Sequence, residues 1–328
     1  MNSLLLSDLH LTDNAIEEYR WEIFPQLPSI VKEYKIDRII ILGDVVDRRD
    51  RFSGAFVNRF IYEFGKLCCH TKVTILAGNH DKPLNGPYYW EFLCTEDLAY
   101  ITKPTFQDDV WLLPFTANPV EDWKELDLAS AKALFMHQTV VGSLVEGGRR
   151  IDYSPYEMPA LPKIPIFSGD VHRNQEVSGV TYVGTPYPVR FGENWKHRVI
   201  LIENEDFENY KEIHVPGIKR LILDIKSASE LPKLKEGDQV RIRFALANES
   251  FQDWPIEQEK IKLWAKKCGV EVVSMEASMI GEGFGQDVSN INKLETMPPE
   301  ELIRKFGLEK KLEENVISVG IQLLKESI

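Results

Sequence analysis

Short, mainly apolar runs recur along the first 215 residues, separated by stretches in which large apolar side chains return every three or four positions. The runs at 4–7, 38–42, 73–77, 133–136 and 164–168 predict buried strands, and 110–114, 180–183 and 198–203 are further strand candidates. The intervening periodicity predicts helices over 30–34, 56–68 and 88–94. Strands that alternate with amphipathic helices build a layered α/β domain rather than a meander of hairpins. The aromatic cluster Tyr88-Tyr89-Trp90 is read as core or interface packing.

Around Val215-Pro216-Gly217 the rhythm changes, and a Pro-Gly break suits a domain junction. Beyond it, 221–225, 239–245 and 270–274 predict strands, and 255–268 a helix with Ile261, Trp264, Ala265 and Cys268 on one face. This is the pattern of a small α+β module. A glycine-containing stretch at 281–286 reads as mobile. Thr296 and Pro298 then mark a helix start, followed by an apolar stripe of Leu312, Val316, Val319 and Leu323. The expected organisation is a core over 1–216, an α+β module over 217–290 and a helical segment over 291–328.

The polar positions that matter fall where the predicted strands end. Asp8 and His10 follow the first strand, Asp44 the second, Asn79 and His80 the third, His137 the fourth, and Asp170 and His172 the fifth. In open α/β sheets the carboxyl ends of the strands line the ligand crevice, so residues far apart in sequence can converge there. The two-residue spacing of Asp8 with His10, and of Asp170 with His172, lets each pair point the same way from extended backbone. Any one of these residues alone is a common turn or loop residue. Their ordered recurrence after successive strands is not. Carboxylate, imidazole and amide donors without thiolates suit Mn²⁺, Fe²⁺, Zn²⁺ or Mg²⁺. The number of donors suffices for two ions sharing a carboxylate, for which Asp44 is the natural bridge.

Composition narrows the reading further. The balance of 39 Lys+Arg against 51 Asp+Glu gives a formal charge of −12, so the bulk field repels polyanions and any phosphate ligand needs a local cationic site. Cys68, Cys69, Cys94 and Cys268 form no regular framework and read as reduced thiols. The start has no signal-peptide pattern and no run approaches a membrane span, so a cytoplasmic protein is expected, in the host cytoplasm if phage-encoded.

The motifs Asp8-Leu9-His10, Gly43-Asp44-Val45-Val46-Asp47, Gly78-Asn79-His80-Asp81, His137 and Gly169-Asp170-Val171-His172 resemble those of the calcineurin-like metallophosphoesterase superfamily. The stretch Gly184-Thr185-Pro186-Tyr187, continuing through Arg190 to Glu193, resembles the loop of SbcD-type DNA-repair nucleases. The resemblance implies a β-sandwich flanked by helices, carrying a capping domain and C-terminal helices. It implies two divalent ions, Mn²⁺ foremost and Mg²⁺ next, that activate water for phosphodiester hydrolysis. Asp8, His10, Asp44 and His172 would hold one ion, and Asp44, Asn79, His137 and Asp170 the other. His80 would serve the leaving group, with Asp47 and Asp81 orienting it. The superfamily usually has His where Asp170 stands, which hardens the second site.

The implied partners are DNA, cut from duplex ends and within single strands, and an SbcC-type ABC/SMC-like ATPase, in a heterotetramer built on a homodimer of this chain. Two ions would add +4 and bring the charge from −12 to −8. Arg48 and Arg190 are the expected phosphate contacts. The rival readings are a phosphomonoesterase of the same superfamily and a non-catalytic scaffold.

Overall fold

Alternation along the first strand sorts its side chains into two cores in the computed structural model: Leu4 and Leu6 join one hydrophobic cluster and Leu5 another. The same split sets Ile39 and Ile41 against Ile40 and Leu42. A strand apolar on both faces must be covered on both. The structure describes residues 1–83, 86–152, 157–246, 253–279 and Arg304. The chain forms two compact units, Met1–Arg243 with Pro255–Glu276, and Phe244–Trp254 with Ala277–Ile328.

The strands are β1 (Ser3–Leu6), β2 (Arg38–Leu42), β3 (Lys72–Leu76), β4 (Leu98–Ile101), β5 (Thr105–Gln107), β6 (Val110–Leu113), β7 (Ala133–His137), β8 (Ile166–Gly169), β9 (Gln175–Val177), β10 (Val180–Tyr182), β11 (Val199–Ile202), β12 (Lys211–Ile213), β13 (Arg220–Ile225), β14 (Gln239–Leu246) and β15 (Glu271–Met279). One six-stranded sheet runs β12-β11-β1-β2-β3-β4, with β1 to β4 parallel. The other runs β5-β6-β7-β8-β10-β9, with β6, β7, β8 and β10 parallel. The order β13-β14-β15 makes a third, smaller sheet. Parallel pairing brings the carboxyl ends of β1, β2 and β3 to one edge, and those of β7 and β8 likewise.

The two large sheets pack face to face. Leu5, Ile40, Leu42 and Leu76 from one meet Ala133, Phe135, Phe167 and Val183 from the other in a shared core. The outer face of the first sheet is covered by a 3-10 segment (Ala15–Ile23), α1 (Leu27–Tyr34) and α2 (Gly54–Cys68). In α2, Phe56, Phe60, Phe64 and Leu67 recur at helical spacing and are all buried. Its start is capped by the Ser53 hydroxyl, which accepts from the Phe56 amide at 3.1 Å. Two more α-helices are the four-residue α3 (Pro119–Asp122) and α4 (Trp254–Cys268), and α4 buries Ile261 and Ala265. The layered α/β core with a smaller α+β part is the architecture expected from the sequence.

One expectation needs amendment. Residues 88–94 form turns, not a helix, because Trp90 lies flat on Phe60 of α2, with ring centroids 4.1 Å apart and planes 4° apart, and the Tyr89 hydroxyl donates to the Arg49 carbonyl. The edge strands β5, β9 and β12 escape a hydrophobic reading because each is three residues long and largely solvent-facing. The expected stretch at 281–286 and the helical segment at 291–328 lie outside the described residues, Arg304 excepted. No described helix is long and apolar enough to cross a membrane. All four cysteines are free thiols.

Phe60, on α2, is fully buried against Trp90. Phe60→Ala is expected to lower unfolding free energy by about 3–5 kcal/mol, measured by denaturant titration, through lost burial and an unfilled cavity.

Candidate metal centre

Four of the site residues sit in the left-handed backbone region: Asp8 (φ 53), His10 (φ 44), Asp44 (φ 51) and Asp170 (φ 75). For a residue with a Cβ this costs on the order of 1 kcal/mol, and cross-loop hydrogen bonds hold it in place. The Asp8 amide donates to the Gly43 carbonyl at 3.1 Å, the His10 amide to the Asp44 carbonyl at 2.9 Å, and the Asp170 amide to Asp8 Oδ1 at 3.2 Å. Gly78 is needed where it stands, since a Cβ there would lie 2.2 Å from both the amide nitrogen and Oδ1 of Asp44.

The side chains converge. His137 Nε2 lies 3.3 Å from Asp44 Oδ1 and 3.7 Å from Asp170 Oδ1. His10 Nε2 lies 3.1 Å from His172 Nε2 and 3.7 Å from Asp44 Oδ2. His80 Nε2 stands 4.0 Å from Asp44 Oδ2. Among the described residues three trios bring a ligand atom from each member within 4.8 Å: Asp8 with His10 and His172, His10 with Asp44 and His80, and Asp8 with Asp44 and His137. Asp44 and Asp8 each belong to two of them.

The imidazole tautomers decide whether cations fit. His137 Nδ1 faces the Leu42 carbonyl, His80 Nδ1 the Asp47 carbonyl at 2.8 Å, and His172 Nδ1 the Glu193 carboxylate at 2.9 Å. Each of these oxygens can only accept, so each Nδ1 carries the hydrogen, and in the neutral ring Nε2 is left as a bare lone pair. The lone pair of His137 faces Asp44 and Asp170, that of His80 faces Asp44, and that of His172 faces His10 Nε2; the buried His137 Nε2 has no hydrogen-bond partner. Acceptors facing acceptors repel unless protons or cations lie between them. The residues therefore fit a metal centre, and their outer hydrogen bonds match those that orient metal-ligating histidines.

Charge follows the same logic. Burial pushes Asp8 up to about 6, assisted by the neighbouring Asp44 and opposed by His137. Burial also acts against ionisation of Asp44, but His137, His10 and His80 outweigh it and hold that carboxyl far below its ordinary range. Burial lowers His10 to about 4, which keeps the imidazole neutral and able to ligate.

Every residue singled out from the sequence can now be placed. Asp8, His10, Asp44, His80, His137, Asp170 and His172 meet in one cluster. Asn79 lines the same cavity, but its amide bridges: Nδ2 donates to Asp170 Oδ1 at 3.3 Å, and Oδ1 accepts from Arg49 at 3.2 Å. Asp47 reaches His80 through its carbonyl, while its carboxylate lies 3.4 Å from His10 Nδ1. Asp81 is fully buried and does not touch His80; it accepts from the amides of Val45, Val46 and Gly78 at 3.0, 3.2 and 2.8 Å. Burial pushes it up to about 7, with Asp44 adding to the effect.

The cavity over the cluster measures about 370 Å³ and its cationic lining is Arg149, Arg173 and Arg190. Arg190 was expected there. Arg48 does not line it: the side chain is half exposed and lies 3.8 Å from Asp13. Sequence reading also missed Glu193, whose place four residues after Val189 in an irregular loop carries no periodic signal.

Residues 1–154 match the family model described as Calcineurin-like phosphoesterase, a span that includes every motif through His137. Protein 078R of Invertebrate iridescent virus 3, which bears the name of a phosphoesterase, is 22% identical over 271 residues, covering 74% of this chain and 76% of its own. The crystal structure of Pseudomonas putida nuclease MPE aligns at 16% identity and a TM-score of 0.33, covering 64% of this chain and 87% of that one. The matched span agrees with the resemblance of the motifs through His137 to that family.

Proton competition makes the centre testable. Asp8, raised from 3.8 to about 6, keeps its proton in the metal-free fold where the unfolded chain has lost it. That contribution to stability is present below about pH 4 and is lost as pH rises through about 6. A bound cation must displace the proton, so the rise in melting temperature caused by saturating Mn²⁺ is expected to be small near pH 5 and to grow toward about pH 8. Equal shifts across that range in thermal melts would contradict the assignment of Asp8 as a ligand.

Proposed function

We propose that the chain is a divalent-metal-dependent phosphodiesterase acting on DNA, a nuclease of a DNA repair or recombination complex. The observation that carries this reading is the juxtaposition, in one cavity, of the cation-demanding cluster with Arg149, Arg173 and Arg190. A single phosphate can use one bidentate guanidinium. Three around one cavity suit a ligand with phosphates on either side of the reacting one, as a nucleic-acid backbone has. Clustering of positive charge at the site also answers the overall charge of −12.

Divalent ions held by Asp8, His10, Asp44, His137, Asp170 and His172 would polarise water and offset the charge on the phosphate. The added carboxylate at Asp170 raises the oxygen share of the donors, which favours Mn²⁺ or Mg²⁺ over Zn²⁺. His80 is placed to move a proton. Its Nδ1–H is committed to the Asp47 carbonyl at 2.8 Å, so Nε2, after taking up a proton to give the imidazolium, is the atom that would deliver it to the departing oxygen. It lines the cavity and is a quarter exposed, consistent with contact to substrate rather than burial beneath it. The arginines bind and orient the backbone. An SbcC-type ATPase would meet the chain through residues 291–328, so stimulation by that partner would be separable from basal hydrolysis.

His80→Ala is expected to retain metal, measured by calorimetry, and to lose turnover by about 10²–10⁴-fold. Asp44→Ala is expected to lose both, since two trios share it. With Mn²⁺, labelled oligonucleotides should be cut faster than p-nitrophenyl phosphate. The reverse preference would favour the phosphomonoesterase reading, and absence of metal binding the scaffold.

A further inference from the structure

We infer that Arg220, on the first strand of the three-stranded sheet, is a positioning residue for the metal centre, connected to His10 and His172 by an unbroken buried path. The inference rests on the metal reading of the cluster given above.

The middle of the path is an Arg–Glu–Arg triad. Arg20 and Arg220 are 2% and 4% exposed. Both donate to Glu17 Oε1, Arg20 Nη2 at 2.7 Å and Arg220 Nη1 at 3.2 Å. Both also donate to the carbonyl of Val189. The Arg220 guanidinium lies 4.2 Å from the centroid of the Phe191 ring, which shields it further from water.

Two arms leave the triad for the cluster. In one, Arg20 Nη1 donates to the His10 carbonyl and lies 3.6 Å from Asp47 Oδ1, the oxygen that faces His10 Nδ1. In the other, the Val189 amide donates to Glu193 Oε2 at 2.8 Å, and Glu193 Oε1 accepts from His172 Nδ1 at 2.9 Å. The arms meet again where the two imidazoles come within 3.1 Å at Nε2. On the far side, Arg220 Nε donates to Gln239 Oε1 at 3.0 Å, and Gln239 Nε2 donates to Glu271 Oε2 at 2.8 Å. One side chain from each of β13, β14 and β15 thus takes part.

Buried charges tolerate little misplacement, because an ion pair that loses one partner leaves the other uncompensated in a medium of low polarisability. The triad therefore fixes the distance between β13 and the Val189 backbone. That backbone carries Glu193 on one side and leads into Arg190, at the cavity, on the other. A lysine could keep the charge at 220 but could not serve Glu17 and Gln239 at once, since those bonds use different nitrogens of one planar fork.

The test is calorimetric titration of the full chain with Mn²⁺. Wild type is expected to bind two ions, and Arg220→Met and Arg220→Lys to bind them ~10-fold more weakly, the lower end of losses from outer partners of metal ligands. Arg243→Met, which removes a surface pairing with Asp224 at 3.7 Å on the same sheet, is expected to bind as wild type does. Arg220→Met combined with Glu193→Gln should lose less than the product of the single losses, since both act through Val189. Wild-type affinity in a folded Arg220→Lys, or losses that multiply, would overturn the inference. Failure of wild type to bind Mn²⁺ would instead overturn the metal reading. A measurement free of variants completes the test: Mn²⁺ should slow amide hydrogen exchange in β13 and β14, by reciprocity of coupling, and unchanged exchange there would count against the path.

Discussion

Buried acceptors outnumber buried donors at the heart of this protein. Asp8, Asp44 and Asp170 bring carboxylates to a space already entered by the Nε2 atoms of His10, His80, His137 and His172. The Nδ1 hydrogens of His80, His137 and His172 are spent on oxygens outside that space. In water each lone pair would find a proton donor. Here the acceptors face one another at short range, so protons or metal ions between its members stabilise the group. The raised Asp8 and His137 and the depressed Asp44 are the metal-free answer to the same shortage, with burial opposing charge on all three and proximity of opposite charges redistributing it.

Holding such a group together demands rigid loops, and the sandwich supplies them at its seam. His137 ends β7 in one sheet, yet its Nδ1 bonds to the carbonyl of Leu42, which ends β2 in the other. Asp81 ties the loops after β2 and β3 with three amide bonds, using the two oxygens of one carboxylate. Burial, with Asp44 beside it, pushes this carboxyl up to about 7 against the three donors that hold it. Left-handed residues at four positions are the local consequence of bending every strand end toward the same point.

The convergence of Asp8, His10, Asp44, His80, His137, Asp170 and His172 was legible in the sequence because a strand end followed by Asp, His or Asn is a local signal, and its repetition in order raises it above chance. The two cores were legible for a similar reason, since apolar runs such as 38–42 announce burial on both faces. Less visible were residues whose role depends on distant partners. Arg20 carries no local signal that singles it out, yet it is buried beneath the His10 loop. Arg48 and Arg49 are adjacent in an irregular loop with no period to assign their directions; one pairs with Asp13 and the other with Asn79. Trp90 belongs to an apolar cluster spaced like a helix, but the ring of Phe60 takes it into the core from a turn. In each case the deciding contact spans ten residues or more and leaves no trace in local pattern.

Asp170 shows how a departure from a motif can be read through its neighbours. An imidazole at this position that offered one nitrogen to a cation would need an acceptor for the N–H on the other side. The surroundings offer hydrogens instead: Thr139 Oγ1 donates to Asp170 Oδ2 and Asn79 Nδ2 donates to Oδ1. Two donors suit an ionised carboxylate and leave further lone pairs for a cation. The carboxylate is thus matched by its own hydrogen-bonding shell, and the environment around it is built for oxygen. The proposed preference for a harder ion follows from that match rather than from the single exchange of Asp for His.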